Sequence, residues 1–155
     1  MDIGITSAMP QLDGFAQFGT PAKPLGPFAT RWDAFRQDTV APRVAVIGGG
    51  VAGAELAMAM RFSLGSDAVV TLIDRGEILK DLGTTARRKM RTALSERDVQ
   101  IIEGADVVAV EADGVLLSDG RLIAAGFVSG AAGAKPYDWQ SDIGVDMHDG
   151  FIATG

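Results

Sequence analysis

Residues Val44 to Glu55 read V-A-V-I-G-G-G-V-A-G-A-E, an apolar run of strand type that breaks into glycines and resumes as small, helix-favouring residues. A strand passing through a glycine turn into a helix opens a βαβ unit and points to an α/β fold built on a parallel sheet. Gly48, Gly50 and Gly53 stand at the spacing G-x-G-x-x-G. The first glycine of such a set lets the chain turn sharply, the second leaves bare backbone for a pyrophosphate, and the third lets helix and strand pack closely. Val51 and Ala52 then offer free N–H groups at the positive end of the helix dipole, where an anion is favoured. Val69-Val70-Thr71-Leu72-Ile73-Asp74 reads as a second buried strand ending in an acid. Asp74 lies 21 residues beyond Gly53, close to the spacing at which a carboxylate meets the ribose of an adenosine. A βαβ unit whose glycines serve packing alone is the plainer alternative, but strand, turn, helix and acid agree independently on a dinucleotide. Gly49 stands at a variable position of the motif and carries little information.

Beyond the motif the pattern stays regular. Arg43 to Ile47 forms a strand, about Val51 to Ser63 a helix, Val69 to Asp74 a strand, about Thr84 to Glu96 a helix, and Val99 to Glu103 a third strand. Three short apolar runs follow, at Val107 to Val110, Val115 to Leu117 and Leu122 to Ile123, separated by Ala112-Asp113-Gly114 and Ser118-Asp119-Gly120. Asp-Gly is a strong hairpin signal, so these runs form a meander. Phe127-Val128 returns to the parallel sheet and ends at Ser129-Gly130-Ala131-Ala132-Gly133, a loop at the carboxyl end of a strand, where α/β sheets bind ligands. The expected fold is α/β: a Rossmann-like parallel sheet with helices on both faces and a three-stranded antiparallel meander as the third crossover. Phe151-Ile152 begins a strand with no evident partner.

Four of the six prolines, and several glycines, lie in the first forty residues, and a fifth, Pro42, follows directly. That texture resists regular structure and reads as a connector. Only Thr30 to Gln37 is expected to be helical, capped by Thr30, with Phe28, Trp32 and Phe35 as its apolar stripe. The expected division is therefore residues 1–41 as a Pro/Gly-rich connector and 42–155 as a nucleotide-binding domain.

Composition narrows the function classes. With 47% hydrophobic residues the chain can bury a real core. Its apolar runs fall well short of the ~18 consecutive residues that a membrane-spanning helix needs, and no basic leader precedes an apolar stretch; the expectation is a cytoplasmic protein. Without cysteine, disulfides, thiolate metal sites and a dithiol centre within this chain are excluded. The single His148 leaves no cluster for a metal. A net charge of −6 argues against nucleic acid as a partner. Arg87, Arg88, Lys89 and Arg91 spread over more than one face of a helix and read as solvated surface rather than a binding patch.

These features resemble the pyridine nucleotide-disulfide oxidoreductase superfamily, flavoproteins with two dinucleotide-binding domains. The meander in place of a crossover helix and Glu55, two residues after the last motif glycine, look like its nicotinamide-binding domain. Asp2-Ile3-Gly4, Lys23-Pro24-Leu25, Arg31-Trp32, Gly130-Ala131-Ala132 and Asp149-Gly150-Phe151-Ile152 look like the NADH dehydrogenase-like branch, including the flavoprotein module fused to selenide, water dikinase. The resemblance implies an enzyme domain that binds NADH and passes a hydride to FAD, with FAD held only by the parts of a full-length parent that flank this domain. The chain lacks the family's earlier G-x-G-x-x-G and a Gly-Asp segment after Ile152, so it reads as a central domain, inactive by itself.

On that resemblance Gly48, Gly50, Val51, Ala52 and Gly53 hold the pyrophosphate, and Asp74 accepts the adenosine ribose hydroxyls. A carboxylate there repels a 2′-phosphate and favours NAD(H) over NADP(H). Arg75 would stack on adenine or partly offset that repulsion; it is equally read as an exposed turn residue. Glu55 would turn to the nicotinamide side, although an acid suits the first turns of any helix. Gly130 and Ala131 would line the crevice beside the nicotinamide ribose, or simply form a small-residue turn. No catalytic residue and no metal site is expected in this chain. Its partners are NADH and the FAD-binding part of the parent, and the uncovered Trp32 and Phe35 segment is expected to be mobile, exchanged between chains or buried in a homodimer. A free-standing nucleotide sensor without catalysis is the alternative of a different class, and FAD or S-adenosylmethionine in the same motif is a third.

Overall fold

The computed structural model describes residues 6–7, 9–131, 134–135, 147–148 and 151–152. Along the chain run β1 (Thr6–Ser7), a 3-10 turn (Met9–Gln11), α1 (Phe15–Phe18), β2 (Gly19–Pro21), α2 (Leu25–Asp38), β3 (Arg43–Ile47), α3 (Val51–Leu64) and β4 (Val69–Ile73). There follow α4 (Thr84–Glu96), β5 (Val99–Ile102), β6 (Val107–Glu111), β7 (Gly114–Leu117), β8 (Leu122–Ala124), β9 (Phe127–Gly130), β10 (Ala134–Lys135), β11 (Met147–His148) and β12 (Phe151–Ile152).

The alternation of side chains along β3 and β4 explains the layers. Val44, Val46, Val70 and Leu72 face a core shared with Ala54, Ala57 and Met60 of α3, Leu94 of α4 and Phe28 of α2. Their alternates Ala45, Ile47 and Ile73 face a second core made with Val110, Val115 and Leu117 of the meander and Phe15 of α1. Strands covered on both sides need apolar residues at nearly every position, and from Val44 to Ile47 and Val69 to Ile73 only the buried Thr71 is polar. The five-stranded sheet has the order β2-β9-β3-β4-β5 and is parallel throughout. An antiparallel sheet β6-β7-β8 packs on its second face beside α1. This is the expected Rossmann-like α/β fold, with the meander occupying the place of a third crossover helix.

The N-terminal residues correct the expectation of an irregular connector. β2 pairs in parallel with β9, Gly19 opposite Val128 and Pro21 opposite Gly130. α2 spans Leu25–Asp38 rather than Thr30 to Gln37, and Thr30 does not cap it: its hydroxyl donates to the Gly26 carbonyl inside the helix. The composition misleads because Pro24 stands at the N-cap and Pro27 in the first turn, where a missing N–H costs no helical hydrogen bond. The expected mobility or exchange of the Trp32 and Phe35 segment is corrected as well. Phe127 of β9 lies 5.2 Å from Trp32, 5.3 Å from Phe35 and 6.0 Å from Phe28, ring centre to ring centre, so the aromatic stripe of α2 packs on its own chain. Phe151 and Ile152 also have a partner that the sequence did not suggest: β12 pairs antiparallel with β11, His148 opposite Phe151. Asp2-Ile3-Gly4, Ala132 and Asp149-Gly150 lie outside the described residues.

Candidate functional site

The carboxyl ends of β3 and β4 meet the first turn of α3, and the glycine motif joins them. Gly48 donates its amide to the Ile73 carbonyl at 2.8 Å and takes a φ of 114°, which only glycine adopts freely. A Cβ on Gly53 would stand 1.8 Å from the Gly48 carbonyl oxygen and 3.5 Å from the Ala131 side chain. The third glycine therefore lets the helix lie directly on the turn and on the end of β9. At Gly50, which caps α3, a Cβ would meet nothing within 4 Å. Open space is what a group approaching the backbone needs. The first helical bond runs from the Ala54 amide to the Gly50 carbonyl, so the amides of Val51, Ala52 and Gly53 have no acceptor in the helix.

Asp74 begins the turn after β4. Its Oδ2 accepts the Gly49 amide at 2.6 Å and its Oδ1 accepts the Gly76 amide at 2.7 Å. Each carboxylate oxygen keeps a further lone pair, so the group can accept hydroxyl donors while it holds the turn. Gly49 is not the uninformative position that its place in the motif suggests. A Cβ there would stand 2.8 Å from both Asp74 Cβ and Ile78 Cγ1. The Gly49 carbonyl in turn accepts the Leu79 amide at 2.7 Å, and Leu79 is buried with a φ of 60°. The glycine turn is thus gripped from behind by residues 74–79.

A cavity of about 530 Å³ opens beside this turn. Gly48, Gly49, Gly50, Asp74 and Arg75 line it, with Ile47, Ile73, Leu79, Ala105, Val107, Met9 and Leu12 as an apolar wall. Glu77, Lys80, Asp81 and Asp106 complete its charged part, so acids outnumber cations. The other expected residues lie outside it. Val51, Ala52 and Glu55 are exposed on the first turns of α3. Ala131 touches the first core cluster and donates its amide to the Ile47 carbonyl at 2.8 Å. Gly130 is buried, and a Cβ there would meet Met9 Cγ at 2.5 Å and Phe15 Cζ at 2.7 Å. Its smallness is required by that packing.

A family model described as pyridine nucleotide-disulphide oxidoreductase matches residues 3–155. The chain belongs to that family. Its similarity to the assimilatory nitrate reductase electron transfer subunit of Bacillus subtilis (strain 168) is 30% identity over 117 residues, 72% of this chain and 15% of that protein. The fold is that of the reduced CoADR-RHD of Bacillus anthracis, with a TM-score of 0.79 at 20% identity over 95% of this chain and 27% of that one. It is also that of the water-forming NADH oxidase of Lactobacillus brevis bound to NADH, with a TM-score of 0.73 at 21% identity over 95% and 33% of the two chains. The chain thus spans a third or less of the length of each of these relatives.

In this member of the oxidoreductase family several site residues escaped the sequence reading. Ile78 and Leu79 looked like loop residues, although an apolar pair amid turn-forming residues is itself a sign of burial. Glu103 follows β5 as Asp74 follows β4, a parallel that would have marked it. Its Oε1 accepts the Ile78 amide at 2.7 Å, and Arg91 of α4 reaches both carboxylate oxygens, at 2.6 and 3.0 Å. The Arg91 guanidinium, foremost, holds the Glu103 carboxyl below its ordinary range, helped by the Ile78 amide, and the same hydrogen bond raises Arg91. Arg87 donates to Glu77 at 2.7 Å. The basic run on α4 is therefore half engaged in structure, while Arg88 and Lys89 are exposed. Among the described residues no helix is long and apolar enough to cross a membrane, and no group of acidic residues and histidines could hold a metal.

Proposed function

We propose that this chain is the NADH-binding domain of an FAD-dependent NAD(P)H oxidoreductase, and that NADH bound here serves a flavin held by another part of the parent protein. The observation that carries the reading is the meeting of an open Gly50 and the Asp74 carboxylate in the lining of one cavity, with the unpaired amides of the first turn of α3 following directly on Gly50. These groups fit a dinucleotide. The amides of Val51, Ala52 and Gly53 would bind the pyrophosphate, Gly50 would admit it, and the spare lone pairs of Asp74 would orient the adenosine ribose. Arg75 and the apolar wall would cover the adenine, while Glu55 and Ala131 stand on the side left for the nicotinamide. Gly130 would act one layer below, by letting Met9 and Phe15 close over β9.

When bound, NADH supplies a hydride from C4 of its nicotinamide, and the task of this chain is to present that carbon in a fixed position. Asp74 beside a surplus of acids disfavours a 2′-phosphate, so NADH is preferred over NADPH. Residues 1–41 would lead in from the flavin-holding part, their β2 and α2 already belonging to the core described above. We place the chain nearest the NADH dehydrogenase-like branch, as a cytoplasmic protein drawing on the NADH pool, and as a domain that binds without turnover when isolated.

Calorimetric titration of the chain and of Asp74→Ala with NADH and NADPH tests this. Micromolar to millimolar binding that prefers NADH, with the preference lost in the variant, supports the reading. Distortion of the turn would weaken both ligands alike, whereas loss of the carboxylate's charge changes their ratio. Binding of neither ligand by the unaltered chain would overturn it.

A further inference from the structure

A continuous path of short contacts leads from the surface of α4 to the glycine turn. Arg91 grips both oxygens of Glu103. Glu103 accepts the Ile78 amide, and the next residue, Leu79, donates its amide to the Gly49 carbonyl. Gly49 donates to Asp74, completing the circuit. The end of β5 is bound to the same loop by backbone bonds, Asp74 to Ile102 at 2.9 Å, Ala105 to Asp74 at 3.2 Å and Gly104 to Gly76 at 3.3 Å. Residues 76–79 are therefore held on one side by β5 and Glu103 and press on Gly49 with the other.

Two features show that this loop does not hold its shape by local preference. Leu79 sits at a φ of 60°, a region unfavourable for a branched residue, and so is kept there by its surroundings. Ile78 and Leu79 are almost wholly buried and pack in the first core cluster. Ile78 packs close against the turn, in space that a Cβ on Gly49 would invade at 2.8 Å. Because the Leu79 amide is bonded to the Gly49 carbonyl at 2.7 Å, a shift of the loop pulls on the Gly49 peptide, next to the Gly50 backbone that faces the cavity.

We propose that Glu103, fixed by Arg91, is a positioning residue for the dinucleotide: it acts through the Ile78 and Leu79 amides to keep the Gly49-Gly50 backbone in its pyrophosphate-receiving conformation. The inference rests on the reading of this turn as an NADH site. It assigns to a residue outside the motif, and outside the cavity, a share in nucleotide affinity. The carboxylate suits the role because a single group accepts both the loop amide and the guanidinium. Glutamine keeps an acceptor for Ile78 but loses the ion pair, and alanine loses both.

The test combines NADH titration with amide hydrogen exchange on the 155-residue chain, Glu103→Gln and Glu103→Ala. Expected in Glu103→Ala are a Kd for NADH raised by about fivefold, an unchanged preference over NADPH, and faster exchange at Gly49 and Leu79 than at Val70 and Leu72. Glu103→Gln should fall between the variant and the unaltered chain. Partial rescue by glutamine marks the amide contact, since general loosening of the fold would quicken Val70 and Leu72 as well. If the alanine variant binds NADH as the unaltered chain does, or if exchange quickens everywhere alike, the positioning role is overturned and the NADH reading stands. Should the unaltered chain bind no dinucleotide, the reading itself fails and the inference falls with it.

Discussion

Asp74 and Gly49 are joined at 2.6 Å, carboxylate to amide, across the cleft between β4 and the glycine turn. The acid that would meet a ribose is thus also a brace for the turn that would meet the phosphates. Removing the carboxylate leaves the buried Gly49 amide without its acceptor, while the Gly76 amide is half-buried and can turn to water. Asp74→Ala should lower stability by about 1–3 kcal/mol, the usual cost of a buried donor left unsatisfied. Chemical denaturation measures that loss, and a variant as stable as the unaltered chain would show that the brace contributes nothing.

Gly49, Gly50 and Gly53 should separate into two classes on substitution by alanine. At Gly53 the added carbon meets backbone oxygen at 1.8 Å, so helix or turn must move, and a loss of about 3 kcal/mol or more is expected. At Gly49 it meets Asp74 and Ile78 at 2.8 Å, and about 1–3 kcal/mol is expected. Gly50→Ala meets nothing and should stay within about 1 kcal/mol of the unaltered stability. Its nucleotide affinity should nevertheless fall by about tenfold, equal to about 1.4 kcal/mol. Melting curves set beside NADH titrations check this; equal losses of stability at all three positions would contradict it.

Much of this was legible in the sequence because the signals were local. The apolar runs at Val44 and Val69, the glycine spacing and the Asp-Gly turns of the meander each depend on a few adjacent residues, and backbone sterics leave them few outcomes. What stayed hidden depended on contacts between distant segments. Proline and glycine made residues 1–41 look irregular, yet the prolines fall where a helix tolerates them, and Phe127, some ninety residues later, supplies the surface on which Trp32 and Phe35 pack. Gly49 looked free because its constraint comes from Ile78 and Asp74, and Gly130 looked like part of a ligand crevice because nothing nearby in sequence announces Met9 and Phe15.

Phe127 joins β9 to α2 through three rings, at 5.2 to 6.0 Å. It is 6% exposed, and its loss would leave a cavity under α2. Phe127→Ala should cost about 3–5 kcal/mol. Trp32 fluorescence should shift to the red as α2 loosens in the folded variant, and an unshifted spectrum would show that α2 is held by other contacts.

Acid should test the Glu103 and Arg91 pair by a distinct route. The Glu103 carboxyl is held below its ordinary value of 4.5, chiefly by Arg91. A group whose folded value is depressed adds stability that is fully present above the unfolded value and is lost as pH falls through the folded one. The stability difference between the unaltered chain and Glu103→Gln should therefore be constant from neutrality down to about pH 5 and shrink below 4.5. Both side chains are about one-third exposed, 37% for Arg91 and 30% for Glu103, so solvent screens the pair and the effect should weaken further in high salt. Denaturation of the two proteins at a series of pH values reads this directly. A difference that grew as pH fell would mean that protonated Glu103 is the form the fold prefers, and the carboxylate could not then be what holds the Ile78 amide.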